Sequence, residues 1–306
     1  FSGQGFWGEG LTKITKQGRV WSGVLKPQVD RLRNPLRWRK PRAVFVNSTS
    51  DLFHEKMVQY HKNFVAAVFG AMAGATDHRF IILTKRARQM REWFEWLESQ
   101  GNPSEYCVIE LAKHLDIDPG SLAVARAIPW PLTNVVLGVS VENQKYADLR
   151  IPELLKTPAH RRMISAEPLL GPIVLDAEPR LANLPGPSKG WDWYCPLSGR
   201  GWDAQSEEYG DRREYPGLDW VVVGGESGDG ARPMHPDWAR SLRDQCEASK
   251  VPFFFKQWGG ATNNVGGDLL DCRVHRDFPE IYRRPLPDGR EFTEEKFAEI
   301  WKEGQA

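Results

Sequence analysis

Cysteine is scarce in this sequence, and its few copies are not arranged in pairs. The 306 residues include four cysteines (Cys107, Cys195, Cys246 and Cys272), and no two of them have the CxxC spacing. This scatter argues against a disulfide framework and against a zinc site built from these residues. We therefore expect a reducing, cytoplasmic environment.

The chain also lacks an excess of charge and a long apolar run. Its 41 basic and 40 acidic residues give a formal net charge of +1, so the net charge alone indicates neither nucleic acid nor a membrane surface. No apolar stretch reaches the length of a membrane span. With 41% hydrophobic residues, the chain is long enough to bury a large core. We expect one domain over residues 1–306, without membrane association.

The sequence does contain one repeated unit, in which a short apolar run ends in polar or glycine residues and a helical pattern follows. Six such units predict strands within Ala43–His54, Arg79–Arg86, Asn134–Asn143, Arg161–Gly171, Leu218–Gly228 and Val251–Gly259. Continuously apolar strands that alternate with helices are typical of a parallel sheet. The pattern predicts an α/β fold, a partial TIM-like barrel of parallel βα units, with an open doubly wound sheet as the alternative.

Two insertions interrupt this repeat. Residues 101–133 have a mostly helical pattern. Residues 176–217 are rich in proline, glycine, tryptophan and charge, which predicts a loop or a small lid. Beyond Gly260 the strand signals are weak, and a short helix is expected near Thr293–Lys302.

Polar side chains follow each of the six predicted strands. The carboxyl ends of parallel strands meet at one rim, where ligands bind in such folds, so we expect a shared ligand site there. We predict catalytic roles for Lys85, Glu167 and Lys256. We predict contacts with a cofactor for a second group of strand-end residues: Asn47, Ser48, Asp51, Ser140, Glu142, Asn143, Gly225 and Glu226.

The stretch "VVVGGESG" (Val221–Gly228) is the least ordinary of these strand ends. It matches neither GxxxxGK[ST] nor GxGxxG, and a carboxylate in a phosphate cradle would repel phosphate. Gly224 and Gly225 would let the backbone pass close to a ligand. We expect Glu226 to accept a hydrogen bond from an amine or hydroxyl of that ligand.

A basic segment, "RLRNPLRWRKPR" (Arg31–Arg42), precedes the first predicted strand. Its arginines interleave with Trp38, a pattern that suits binding of a nucleic-acid backbone and stacking of a base. The alternative is a solvated stretch that leads into the strand.

Several of these motifs together resemble the phage Gp37/Gp68 family of uncharacterised proteins. The resemblance covers roughly Pro35 to Gly259 and is carried, in order, by "PLRWRKPRAVFVNSTSDLFHE", "ILTKR", "NVVLGVSVEN", "ISAEPLLGPI", "DWVVVGGESG", "ARPMHPDWARSLRDQC" and "PFFFKQWG". It implies a radical S-adenosylmethionine enzyme with a partial TIM barrel, similar in plan to spore photoproduct lyase.

The implied cofactors are S-adenosylmethionine and a [4Fe–4S] cluster held by a CxxxCxxC-type motif. That motif is absent from these 306 residues, and we expect the cluster loop to precede Phe1. We expect such an enzyme to act on a nucleic acid or a modified base.

Two further functions remain open from the residues alone. One is a metal-dependent βα-barrel hydrolase or nuclease that uses Asp51, Glu142, Glu167 and Glu226. The other is a non-catalytic binding module of a phage or defence system.

Overall fold

The computed structural model describes residues 12–15, 18–48, 50–122, 129–175, 193–197, 200–202, 212–214, 216–262 and 265–279. Its central element is a six-stranded parallel sheet composed of β1 (Ala43–Val46), β2 (Arg79–Thr84), β3 (Val135–Ser140), β4 (Arg161–Ala166), β5 (Trp220–Gly224) and β6 (Phe253–Gln257). Every strand pairs with its neighbours in sequence, so the order is β6-β5-β4-β3-β2-β1. A doubly wound sheet would reverse its order at a switch point. The sheet curls into a half-barrel, which confirms the predicted partial barrel.

Helices connect the strands, as the repeated unit predicts. They are α1 (Glu55–Tyr60), α2 (Lys62–Ala73), α3 (Ala87–Glu98), α4 (Pro103–Leu115), α5 (Gln144–Lys156) and α6 (Pro236–Ser249). Helix α3 illustrates why they form, because it buries Met90, Trp93, Phe94 and Leu97 on one face at helical spacing. Helix α4 and the 3-10 turn Pro119–Leu122 lie in the first insertion, in keeping with its helical pattern.

The two faces of the sheet have different neighbours. Alternate strand residues such as Phe80, Leu137 and Val221 pack under the helices in the main core. The opposite, concave face carries its own apolar cluster, made of Ala43, Ile81, Val136, Met163, Trp220, Val222, Phe254 and Phe278. The half-barrel is therefore filled toward the amino ends of its strands, and its carboxyl-end rim is left to polar residues.

Smaller elements surround the sheet. Antiparallel hairpins are formed by Thr12–Thr15 with Gly18–Trp21 and by Leu269–Leu270 with Arg273–Val274. Part of the second insertion forms a three-stranded sheet of Trp193–Cys195, Arg200–Trp202 and Arg212–Glu214, whose three-residue strands are too short to give an alternating pattern in sequence. The helix expected near Thr293–Lys302 lies outside the described residues. No helix in the described part combines the length and apolar character that crossing a membrane requires.

Candidate functional site

The last residues of β1–β6 and the residues that directly follow them form one rim, and two lysine–glutamate pairs occupy it. In the first pair, the Lys85 ammonium lies 2.6 Å from a Glu142 carboxylate oxygen. Arg150 of α5 donates to the other Glu142 oxygen at 2.9 Å and to the Ser140 carbonyl at 2.7 Å. Glu142 is buried between two cations, whereas Lys85 is half-exposed. This pair joins the ends of β2 and β3.

The second pair joins β4 to β6 across the end of β5. The Lys256 Nζ lies 3.3 Å from Glu167 Oε1, and both side chains are less than a tenth exposed. The Ser165 hydroxyl donates to Glu167 Oε2 at 3.0 Å and so fixes the carboxylate. The intervening strand contributes Gly224, where a Cβ would lie 2.6 Å from Glu167 Oε1. The missing side chain at Gly224 is what lets Lys256 and Glu167 meet.

Gly225, the next residue along the chain, lies against a different group. A Cβ on Gly225 would lie 1.8 Å from the Trp258 carbonyl oxygen, because the loops after β5 and β6 run against each other. The Gly225 amide also donates to the Gln257 carbonyl at 2.9 Å. Glycine is thus required at position 225 because the backbone there passes close to the loop that follows β6, which is part of the protein itself.

Glu226 is held within its own loop. Its carboxylate accepts from the Arg232 guanidinium at 2.8 and 2.9 Å and from the Arg232 amide at 2.9 Å. These hydrogen bonds lower the pKa of Glu226 to about 2. The "GGESG" stretch therefore forms a loop closed by an arginine, with the Glu226 carboxylate already bound on both oxygens.

Asp51 ties the ends of β1 and β2 together. Its carboxylate accepts from the Thr84 hydroxyl at 2.8 and 2.9 Å, from Arg86 at 3.0 Å and from the Phe53 amide at 2.9 Å. With these donors in place, Asp51 is a positioning residue for the rim. On the same loop, Asn47 has a left-handed backbone with φ of 61° and Ser48 is exposed.

The remaining two predicted residues lie at the end of β3. Ser140 is buried and stands opposite Ser165 in the register of β3 and β4. Asn143 is the N-cap of α5, where its side chain accepts from the Tyr146 amide at 3.4 Å. Asn143 therefore has a structural role that the sequence pattern did not separate from a binding role.

Sequence reasoning missed two residues that shape the rim, Arg150 and Ser165, and it related Gly224 to a ligand, whereas the group that lies close to Gly224 is the Glu167 carboxylate. Spacing by two residues from Met163 through Ser165 to Glu167 is the signal for Ser165, because alternate strand residues face one side. Arg150 gave no such signal, since its contact with Glu142 depends on how α5 packs.

Metal ligands do not gather in the described part of the chain. The rim carboxylates are paired with lysine or arginine, and no group of three or more histidine, cysteine, aspartate or glutamate side chains is arranged to hold a metal there. Cys107, Cys195 and Cys246 are buried and Cys272 is exposed. Burial raises the pKa values of the Cys107 and Cys246 thiols, which disfavours the thiolate form that binds metals.

Comparison with known protein families gives a match over most of the chain. Residues 8–279 match the model of a family described as "Protein of unknown function (DUF5131)". No curated protein and no solved structure matches the chain.

Proposed function

The chain belongs to the DUF5131 family, described as proteins of unknown function, and we propose that it is an S-adenosylmethionine-dependent enzyme of the radical type. The observation that carries this proposal is the pair of Lys256 and Glu167, one cation and one anion enclosed together at the rim of a half-barrel. The resemblance to the phage Gp37/Gp68 family points to the same cofactor.

The chemistry of this pair selects a class of ligand. A buried charge is costly unless it has a partner of opposite sign. A phosphate that took Lys256 would leave Glu167 uncompensated, and a divalent cation that took Glu167 would leave Lys256 uncompensated. An α-amino acid head group carries an ammonium and a carboxylate on one carbon, so it can pair with both side chains at once.

S-Adenosylmethionine has this head group. Its ammonium would take the place of the Lys256 ammonium beside Glu167. Its carboxylate would then form an ion pair with Lys256. Ser165 keeps Glu167 in place during the exchange. The side chains of Asn47 and Ser48, on the far edge of the rim, offer polar groups to the ribose and adenine.

The same function calls for a [4Fe–4S] cluster, and the four cysteines of this chain do not fit one. Three are buried and the fourth is exposed on the Leu269–Val274 hairpin. The radical type therefore rests on the resemblance alone, and we assign no reaction step to a cluster. On this proposal, the residues present would bind and orient the amino acid group.

Calorimetry with S-adenosylmethionine tests the proposal. We expect the wild type to bind, and Lys256→Met and Glu167→Gln each to weaken binding by about 1.5–3 kcal/mol, the range for hydrogen bonds to charged groups. Lys113→Met is the matched control, because Lys113 also pairs with a buried glutamate, Glu110 at 2.7 Å, but on helix α4. The control is expected to bind like the wild type.

Two related ligands sharpen the result. S-Adenosylhomocysteine keeps the amino acid head group and is expected to bind through the same pair. Methylthioadenosine lacks the head group and is expected to bind at least tenfold more weakly, about 1.4 kcal/mol. No binding by the wild type, equal binding of methylthioadenosine, or unchanged affinity in both rim variants would each overturn the proposal.

A further inference from the structure

The basic segment Arg31–Arg42 is strongly positive, whereas the rest of the chain has a negative net charge. It contains six of the 41 basic residues and none of the 40 acidic ones, so the remainder of the chain has a formal charge of −5. We propose that this segment forms a surface that binds the phosphate backbone of nucleic acids.

Apolar anchors fix the segment on the protein. Leu32 is buried against Leu111 and Leu115 of α4, and Leu36 packs over Gly74 at the end of α2. Arg33 donates to the Leu115 carbonyl at 2.5 Å, and the His78 ring is 3.1 Å from the Pro35 carbonyl. The segment is thus a formed surface, with a 3-10 turn at Val29–Arg33 and a short helix at Asn34–Arg37.

The anchoring leaves five of the six cations exposed to solvent, and one of the five, Arg42, lies over the Trp38 ring. Arg31, Arg37, Arg39 and Lys40 are exposed, and none forms an ion pair with an acidic side chain among the described residues. Elsewhere in the described chain nine arginines are paired with carboxylates, as Arg88 is with Glu92. Within the described residues, most arginines outside the segment therefore have a carboxylate partner, whereas four cations close together in the segment do not.

The composition favours nucleic acid over a membrane. Five of the six cations are arginine, whose planar fork matches phosphate in two hydrogen bonds. A membrane surface helix would present apolar side chains outward, but Leu32 and Leu36 point into the protein. Trp38 lies among the cations, half-buried, with the Arg42 guanidinium 4.9 Å from its ring centre.

The surface is separate from the rim. Arg42 directly precedes β1, so it lies at the amino end of the strand, and the rim lies at the carboxyl end, about 13 Å further along four residues. The inference is therefore independent of the proposed cofactor. A nucleic acid held here would be gripped by its backbone at a distance from the Lys256–Glu167 pair.

Fluorescence anisotropy with labelled 20-nucleotide single-stranded and duplex DNA of arbitrary sequence tests the surface. The triple variant Arg37→Gln, Arg39→Gln and Lys40→Gln is compared with a control that removes the same charge elsewhere, at the exposed residues Arg88, Lys250 and Arg273. Each phosphate contact contributes about 0.7–0.9 to the slope of log affinity against log salt. We expect the segment variant to lower that slope by about 2–3 and the control to leave it unchanged.

Every outcome separates the alternatives. Loss of DNA binding in the segment variant alone supports the surface, and a preference between single strand and duplex then identifies the form it holds. No DNA binding by the wild type at about 50 mM salt overturns the inference, since backbone contacts are strongest at low salt. Equal losses in both triple variants, or binding only to phosphatidylserine vesicles, would overturn it as well.

Discussion

At the scale of single residues, the first two glycines of "GGESG" have different structural roles, which could not be distinguished from the sequence. Gly224 leaves room for the Glu167 carboxylate, and Gly225 leaves room for the Trp258 carbonyl. A side chain can move and a backbone carbonyl in a packed loop cannot move as easily. The two positions should therefore respond differently to alanine.

We expect Gly224→Ala to destabilise the protein by about 1–3 kcal/mol, the usual range for overpacking. The added methyl would push Glu167 away from Lys256, so the loss should be coupled to Glu167. In a double-mutant cycle read by urea unfolding, the effect of Gly224→Ala should shrink when Glu167 is already alanine. Gly225→Ala serves as the contrast, because its clash with Trp258 backbone should persist in the same background. Additive effects of Gly224→Ala and Glu167→Ala would contradict the assigned contact.

At the scale of elements, the strands could be predicted from sequence because each is a continuous apolar run that ends in polar residues. The six observed strands all lie inside the predicted segments, from Ala43–Val46 to Phe253–Gln257. The pairing of Lys256 with Glu167 could not be predicted, because it depends on Gly224 and on the curl of the sheet. The N-cap role of Asn143 could not be predicted for a related reason, since a strand end and a helix N-cap use the same residue types.

The apolar cluster on the concave face of the half-barrel contributes to the stability of the fold, and this contribution can be measured. Phe278 packs on the concave face, with its ring centre 5.6 Å from that of Trp220 and 5.4 Å from that of Phe254. Phe278→Ala should lower the free energy of unfolding by about 3–5 kcal/mol, because it leaves a cavity among buried aromatic side chains. Val274→Ala, half-exposed on the neighbouring hairpin, should change it by less than about 0.5 kcal/mol. Equal effects would mean that Phe278 is not part of the core.

At the scale of the whole molecule, charge and cysteine are both distributed in ways that the composition hides. A net charge of +1 conceals the basic segment at one end of β1 and an acidic remainder. Four cysteines would suffice in number for a cluster, yet they lie on α4, on the Trp193–Cys195 strand, on α6 and on a surface hairpin. The position of the charged residues and of the cysteines in the fold decides what each group can do, and composition does not give that position.

The placement of the thiols makes a prediction for the folded chain. In native protein one thiol, that of Cys272, should react rapidly with a disulfide reagent, and all four should react after unfolding in guanidinium. The physical reason is that burial excludes the reagent from the other three and raises the pKa values of Cys107 and Cys246. Cys272→Ser should abolish the fast phase, whereas Cys246→Ser should leave it intact. Because a [4Fe–4S] cluster needs several cysteine thiolates close together in space, and these four lie on separate elements, anaerobic reconstitution of these 306 residues with iron and sulfide should leave the protein colourless. Three or more fast thiols, or about four irons retained per chain, would show that the cysteines can gather after all.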